Sequence, residues 1–226
     1  TSEIILCSVG DLPFSTVLKY AERFFYDLPQ TNRGRTRNKP IATGGITQQV
    51  SRDTFQAHCM ISGEGYDYNH EDRIALHLLN NILGGPGMNS RLNMALRERR
   101  GFSYSAESHY QPYTDSGAIS IYFSCDKERF SKSYEVTSRE MKKLRTQPVA
   151  DKKLADARRQ LLGQIAISSE NGEHRMMSMA KSYLLFNQVD SLQEIAEKVE
   201  KVDANKLMEV ANDVLDPKKL NTLIYL

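Results

Sequence analysis

Arg97 and Tyr104, two hydrogen-bond donors of different chemistry, stand seven residues apart in this chain of 226 residues. The residues around Arg97 have the spacing of an amphipathic helix, Gly101 ends that pattern, and the residues after it alternate as in a strand. A guanidinium and a phenol can both donate to a carbonyl oxygen that gains negative charge in a transition state. This chemistry is open to the pair, although an arginine on a helix and a tyrosine in a strand usually serve as surface charge and packing.

The elements that must position the pair are short and local. A glycine-rich turn, Gly84 to Gly87, leads into a predicted helix over 90–100, and a predicted hairpin follows from Ser103 to Cys125. No Gly-Lys-Ser/Thr follows the turn, so it does not predict a phosphate-binding loop. Tyr104 precedes Ala106 by two residues, and residues at this spacing share one face of a strand. The ring of Tyr104 is therefore expected to pack beside Ala106.

The rest of the apolar periodicity indicates strands and helices along the whole chain. Strands are predicted over 3–9, 54–61 and 220–226. Helices are predicted from Asp11 to Leu28, from Asn69 to Leu83, and over 127–146, 150–168, 173–187, 190–199 and 203–215. This order of elements predicts a single α+β domain over 1–226, with a mostly antiparallel sheet and helices packed on one of its faces.

Four motifs resemble the second half of the pitrilysin-like zinc metallopeptidases, the family of insulin-degrading enzyme and the mitochondrial processing peptidase. They are Ile5-Leu-Cys-Ser-Val-Gly-Asp11, Phe25-Tyr-Asp-Leu-Pro29, Gly84-Gly-Pro-Gly-Met-Asn-Ser-Arg-Leu92 and Leu96-Arg-Glu-Arg-Arg-Gly-Phe-Ser-Tyr104. The spacer between Gly85 and Ser90 is slightly longer than the family's usual one. The resemblance covers nearly the whole chain and implies the metallopeptidase-half fold, in a domain excised from a longer protein.

The same resemblance implies roles for residues and for a partner. Arg97 and Tyr104 would bind an extended peptide substrate and stabilise the oxyanion. The zinc ion, the attacking water and the general base would come from an N-terminal zinc-binding half, on the same parent chain or on a partner subunit. This chain alone is therefore expected to be inactive and to hold no cofactor.

The chain lacks the zinc motif of that family. Inverzincins bind zinc through His-x-x-Glu-His on one helix, which places two imidazoles on one face with the general base between them. The nearest match is His77-Leu-Leu-Asn-Asn81, where Asn80 and Asn81 replace the base and the second ligand. Halves of these enzymes resemble each other as products of duplication, so this helix is interpreted as a structural counterpart without metal.

Composition restricts the partners and the compartment. A net charge of +2 is too small to indicate nucleic acid, and no apolar run is long enough to span a membrane. The cysteines Cys7, Cys59 and Cys125 are odd in number and show no redox or metal spacing, which favours a reducing, cytoplasmic compartment.

Two other functions remain open beside the substrate-binding half of a zinc metallopeptidase. One is a non-catalytic structural or partner subunit of the same fold, such as the core proteins of respiratory complexes. The other is a simple peptide-binding module. Retention of both Arg97 and Tyr104 favours the peptidase, because a purely structural half need not keep them. Cleavage specificity and oligomeric state are not predicted.

Overall fold

A computed structural model describes residues 4–29, 38–51 and 53–226 of the protein. Helices and strands alternate in its first half, and helices dominate its second half. In chain order the elements are α1 (Phe14–Phe25), β1 (Thr47–Val50), β2 (Gln56–Glu64), α2 (Arg73–Gly84), a π-helix (Asn93–Glu98), β3 (Ser103–Pro112), β4 (Gly117–Asp126), a 3₁₀ turn (Lys127–Arg129), α3 (Phe130–Thr146), α4 (Asp151–Glu170), α5 (Gly172–Phe186), α6 (Leu192–Glu200), α7 (Ala204–Val214) and β5 (Asn221–Tyr225).

The five strands form one sheet in the order β1-β5-β2-β4-β3. The pairs β2–β4, β2–β5 and β3–β4 are antiparallel, and only β1 runs parallel to its neighbour β5. Side chains alternate between the two faces, and one face is buried. That face carries Ala57, Cys59, Ile61, Ala106, Tyr110, Ile119, Ile121, Phe123, Cys125 and Ile224.

Three helices cover the buried face of the sheet. Helix α2 packs against β3 and α7, and α3 packs against α7 and β4. Their apolar residues recur at three- and four-residue steps, so each helix presents one stripe to the sheet. On α2 this stripe contains Ala75, Leu76, Leu78, Leu79 and Leu83. The predicted α+β fold, with a mostly antiparallel sheet and helices on one face, is confirmed.

The chain divides into two compact units. The first contains residues 1–38 and 162–197, and the second contains residues 39–161 and 198–226. The second unit holds the sheet, the apolar core and the Arg97–Tyr104 segment. In the described part of the first unit no residue is buried. That the whole chain folds as one domain stays a prediction.

Several local predictions are wrong. The expected strand over 3–9 is absent from the described residues 4–9, because strands need a hydrogen-bonded neighbour and none pairs with them there. Helix α2 begins at Arg73 rather than beside Asn69, whose backbone N–H instead donates to Asp67. Strand β1 was not predicted, because three of its four residues are polar. Its pairing with β5 is visible only in the folded chain.

The three cysteines are free thiols. Burial, with the neighbouring Cys125 as a smaller cause, raises the pKa of Cys59 to about 12, and burial raises the pKa of Cys125 in the same direction. Both thiols are therefore protonated and unreactive near neutral pH, as expected for cysteines that serve as small apolar residues. The cytoplasmic compartment stays a prediction. In the part of the chain that the structure describes, no helix is long and apolar enough to cross a bilayer.

Candidate functional site

Arg97 lies in a π-helix rather than in the predicted α-helix. The wide turns show in the hydrogen bond from the Arg99 N–H to the Met94 carbonyl oxygen, which spans five residues at 3.2 Å. Leu96 is fully buried and faces the core, whereas Arg97 is exposed. Single π turns inside helices occur often at functional sites, because they shift the direction of the side chains that follow.

A tight turn connects this helix to β3. Gly101 has φ of +58°, a left-handed conformation that residues with a β-carbon rarely adopt, and its N–H donates to the Arg97 carbonyl oxygen at 2.8 Å. The N–H of Phe102 donates to the Leu96 carbonyl oxygen at 2.8 Å. The guanidinium of Arg129 lies 5.5 Å from the centre of the Phe102 ring. The two hydrogen bonds to the π-helix and the cation–π contact with Arg129 therefore hold the turn in place.

Tyr104 lies in a β-bulge. Ser103 pairs with Cys125 and Ser105 pairs with Ser124, so Tyr104 is an extra residue without its own partner on β4. A bulge reverses the facing of the residues that precede it in the strand. Tyr104 is consequently 67% exposed, while Ala106 is 3% exposed. The expectation that the Tyr104 ring packs beside Ala106 is wrong.

Within the described ranges, neither donor makes another strong interaction. The Arg97 Nε lies 3.8 Å from the Glu98 Oε1 in a pair in which both side chains are substantially exposed. Such surface pairs contribute little stability, so a substrate can compete for the guanidinium. Among the described residues the hydroxyl of Tyr104 has no hydrogen-bond partner. The two groups stand on either side of the Gly101 turn as exposed donors.

The glycine-rich turn before the π-helix brings backbone close to backbone. A β-carbon on Gly84 would lie 2.5 Å from the backbone nitrogen of Ser108, so glycine allows the end of α2 to approach β3. The amide of Asn89 donates to the Gln160 Oε1 at 2.8 Å and ties the turn to α4. These contacts thus hold the start of the segment that carries Arg97 in place.

An ion-pair group joins the start of the Arg97 segment to α3. Arg91 Nη1 lies 3.9 Å from Glu140 Oε2, and Lys143 Nζ lies 2.6 Å from the other carboxylate oxygen. Desolvation lowers the pKa of Arg91, and the charge of Glu140 opposes that effect. Because Glu140 is largely buried, solvent screens this contact less than it screens an exposed pair, and the contact links the segment to α3.

The residues at the zinc-like position do not fit zinc. The ring of His77 lies 4.6 Å from the ring of Tyr110, and Asn81 is only 7% exposed. His77 keeps exposed surface, yet desolvation, and secondarily the charge of Arg73, lowers its pKa to about 4. The ring is therefore neutral and could act as a ligand, but the helix positions where the base and the second ligand would stand hold Asn80 and Asn81. Across the described residues no group of three or more metal-ligating side chains occurs.

The other histidine near α2 has a structural contact. His70 precedes the helix, so it does not share a helical face with His77. Its ring stacks on Tyr66 with 3.7 Å between ring centres, and its Nδ1 accepts the backbone N–H of Asp72 at 3.1 Å. His70 therefore belongs to the turn before the helix and has a structural role there.

Residues 2–161 match the family model described as "Peptidase M16 inactive domain". This match covers most of the chain, including both candidate donors. The chain belongs to the peptidase M16 family. It represents the pitrilysin-like C-terminal half, as the motifs around Arg97 and Tyr104 predicted.

Relatives of this M16 domain are zinc proteases by name. A protein of Bacillus subtilis called uncharacterized zinc protease YmxG is 26% identical over 95% of this chain and 52% of its own length. The Mycobacterium bovis protein called uncharacterized zinc protease Mb2805c is 30% identical over 83% of this chain and 41% of its own length. The chain thus spans about half the length of these relatives or less.

Solved structures confirm the M16 fold. A crystal structure of a peptidase M16 inactive domain from Pseudomonas fluorescens superposes with a TM-score of 0.85, at 21% identity over 96% of this chain and 51% of the other. A protease from Helicobacter pylori superposes with a TM-score of 0.83, at 19% identity over 96% of this chain and 53% of the other.

Sequence reasoning missed Ser103. This serine is 6% exposed, and its hydroxyl lies 2.5 Å from the Ser105 carbonyl oxygen and 2.7 Å from the Ser124 carbonyl oxygen. Little in the sequence distinguished Ser103, because a serine at the start of a strand is ordinary. Only the register against β4 shows that this serine stands next to an extra residue.

Proposed function

We propose that this M16 domain is the substrate-binding half of a zinc metallopeptidase that cleaves extended peptides. Arg97 and Tyr104 donate hydrogen bonds to the substrate backbone near the scissile bond and to the oxyanion that forms there. A separate zinc-binding half supplies the metal, the water and the general base. Domain closure brings the two sets of groups together and excludes water, as in other enzymes that close around a substrate.

One observation supports the proposal: both donors are exposed, and the described residues engage their polar groups in no more than one surface ion pair. A surface arginine or tyrosine with a structural role normally covers apolar surface or satisfies a backbone group. Tyr104 is 67% exposed, and its hydroxyl bonds to no other described residue. Two such groups beside one tightly held turn are arranged for an external acceptor. An oxyanion in a closed site is the acceptor for which donors of this kind are worth most.

Helix α1 supports the existence of a covering partner. Phe14 is 80% exposed, Leu18 is 46% exposed and Phe25 is 47% exposed, and their spacing places them along one helical stripe. An apolar stripe of this kind is normally buried against another element. The relatives are about twice as long as this chain or longer, so they contain a second portion of similar size. We propose that the zinc-binding half packs on this stripe.

Kinetics of the assembled enzyme test the roles of the two donors. With the zinc-binding half present, Tyr104→Phe or Arg97→Ala should lower kcat/KM by about two to three orders of magnitude, the usual cost of one oxyanion donor. Arg99→Ala is the matched control, since Arg99 is an exposed cation on the same turn. Arg100→Ala is unsuitable, because its guanidinium donates to the Ala95 carbonyl oxygen at 2.7 Å and so supports the helix.

Two results would contradict the proposal. Equal losses in Arg97→Ala and Arg99→Ala would show that the effect is general electrostatics. Full turnover in Tyr104→Phe would remove the oxyanion role and favour a non-catalytic structural or partner subunit of the same fold.

Localisation in a reducing compartment is a separate proposal, which fractionation of the source cells would test.

A further inference from the structure

We infer that Ser103 is a positioning residue: its buried hydroxyl holds the β-bulge that turns Tyr104 toward the substrate. The inference rests on the proposed role of Tyr104 and assigns a part to a residue that makes no contact with substrate.

The register shows what the bulge does. Counting back from Ala106, a regular strand would place residue 104 on the buried face with Ala106, Ser108 and Tyr110. Tyr104 and Ser105 together oppose Ser124, so the alternation of side chains between the two faces shifts by one residue. As a result, the side chain of Ser103 lies on the buried face. A small side chain occupies the core, and the large phenol stands in solvent.

The hydroxyl of Ser103 explains why the bulge is stable. An extra residue interrupts the ladder of hydrogen bonds and leaves carbonyl groups without an N–H partner. The Ser103 hydroxyl lies 2.5 Å from the Ser105 carbonyl oxygen on its own strand and 2.7 Å from the Ser124 carbonyl oxygen on the neighbouring strand. It has one proton, which these two acceptors share. One side chain thus closes the bulge across both strands.

The neighbouring turn limits the alternatives open to Tyr104. Gly101 and Phe102 are held to the π-helix by the N–H donations to Arg97 and Leu96. Two residues separate Gly101 from Tyr104, so the strand cannot slide toward the turn without breaking those bonds. Because the turn keeps these bonds, loss of the Ser103 hydroxyl loosens the bulge and not the turn. The Tyr104 side chain then no longer points in one fixed direction.

Three variants test this in the assembled peptidase. Ser103→Ala should lower kcat about 10- to 100-fold with little change in KM, the cost of a misplaced catalytic group. Ser103→Thr keeps a hydroxyl and should restore most of the rate. Ser108→Ala is the matched control: it removes another buried serine hydroxyl of β3, which donates to the Asn80 carbonyl oxygen at 3.0 Å, and it should leave kcat unchanged.

A double variant separates positioning from general loss of stability. If Ser103 acts through Tyr104, Ser103→Ala combined with Tyr104→Phe should be no slower than Tyr104→Phe alone. If the two losses multiply, or if Ser108→Ala is as slow as Ser103→Ala, the positioning role is overturned.

Chemical nitration of the assembled protein gives a measurement independent of turnover. Nitration of Tyr104, mapped by mass spectrometry relative to Tyr113 of the same hairpin, should fall in Ser103→Ala and recover in Ser103→Thr. Tyr113 is 45% exposed and serves as the internal reference. An unchanged ratio overturns the inference. Full turnover in Tyr104→Phe instead overturns the proposed function, and the nitration ratio still decides whether Ser103 sets the position of Tyr104.

Discussion

Tyr104 and Ala106, two residues apart in β3, lie on opposite sides of the sheet. Tyr104 is 67% exposed and Ala106 is 3% exposed, although residues at this spacing in a regular strand share a face. The β-bulge between Ser103 and Ser105 is the cause. Its effect is to offer a phenol to solvent at the end of an otherwise well-packed strand.

Tyr104→Phe should barely alter the stability of the chain. The ring is exposed and its hydroxyl bonds to none of the described residues, so the free energy of unfolding should change by less than about 0.5 kcal/mol. Tyr110→Phe is the control, because the buried Tyr110 hydroxyl donates to the Tyr66 carbonyl oxygen at 2.7 Å; it should cost about 1 kcal/mol. Urea denaturation followed by circular dichroism measures both. A larger loss for Tyr104→Phe than for Tyr110→Phe would make Tyr104 a structural residue.

The purified chain should bind no stoichiometric zinc. His77 has only Asn80 and Asn81 at the positions where a base and a second ligand would be needed, and Asn81 is buried. Neutral amides are poor zinc ligands compared with imidazole, thiolate or carboxylate. Elemental analysis after dialysis decides the matter, and about one zinc ion per chain would show that this interpretation of α2 is wrong.

The chain by itself should hydrolyse no peptide. Arg97 and Tyr104 can polarise a carbonyl group, but the described residues contain no group of three or more metal-ligating side chains that could hold a zinc ion to activate water. The measurement is cleavage of a fluorogenic peptide library by the chain and by Arg97→Ala. Activity in the chain that disappears in the Arg97→Ala preparation and in chelator would mean that the domain is an enzyme in its own right.

Gly84→Ala should destabilise the second unit. The new β-carbon would lie 2.5 Å from the Ser108 nitrogen and 2.9 Å from the Glu107 carbonyl carbon, and a paired strand cannot move away cheaply. Overpacking of this kind costs about 1–3 kcal/mol. Gly163→Ala in α4 is the contrasting control, since nothing lies within 4 Å of its β-carbon and helix propensity should raise stability by up to about 1 kcal/mol. Thermal unfolding of both variants measures these changes in stability. Equal changes would exclude close packing as the reason why residue 84 is a glycine.

Polar substitutions on α1 should weaken assembly without weakening the fold. Phe14→Gln and Leu18→Gln remove exposed apolar side chains, and each should raise the Kd for a separately expressed zinc-binding half about tenfold or more. Lys19→Gln changes an exposed polar residue of the same helix and should leave the Kd unchanged. Isothermal titration calorimetry measures all three. Unchanged affinity in both apolar variants would mean that the zinc-binding half packs elsewhere.

Much of the fold was predictable because it follows from local periodicity. The apolar stripes of α2, α3 and α7 and the alternation in β2 and β4 appear directly in the order of residues, and these elements form as expected. The strand over 3–9 failed for a physical reason. An apolar run has the same pattern whether or not a neighbouring strand is available, and among the described residues none pairs with it.

The sequence by itself determined that Arg97 and Tyr104 stand seven residues apart on a helix–turn–strand segment, and that the zinc motif is missing. The tertiary structure alone decided that the helix is a π-helix, that β1 joins β5, and that Tyr104 faces solvent. The reason is the range of the interactions. Periodicity depends on residues a few positions apart, whereas the direction of Tyr104 depends on its register against β4 and on a hydroxyl that reaches across to Ser124.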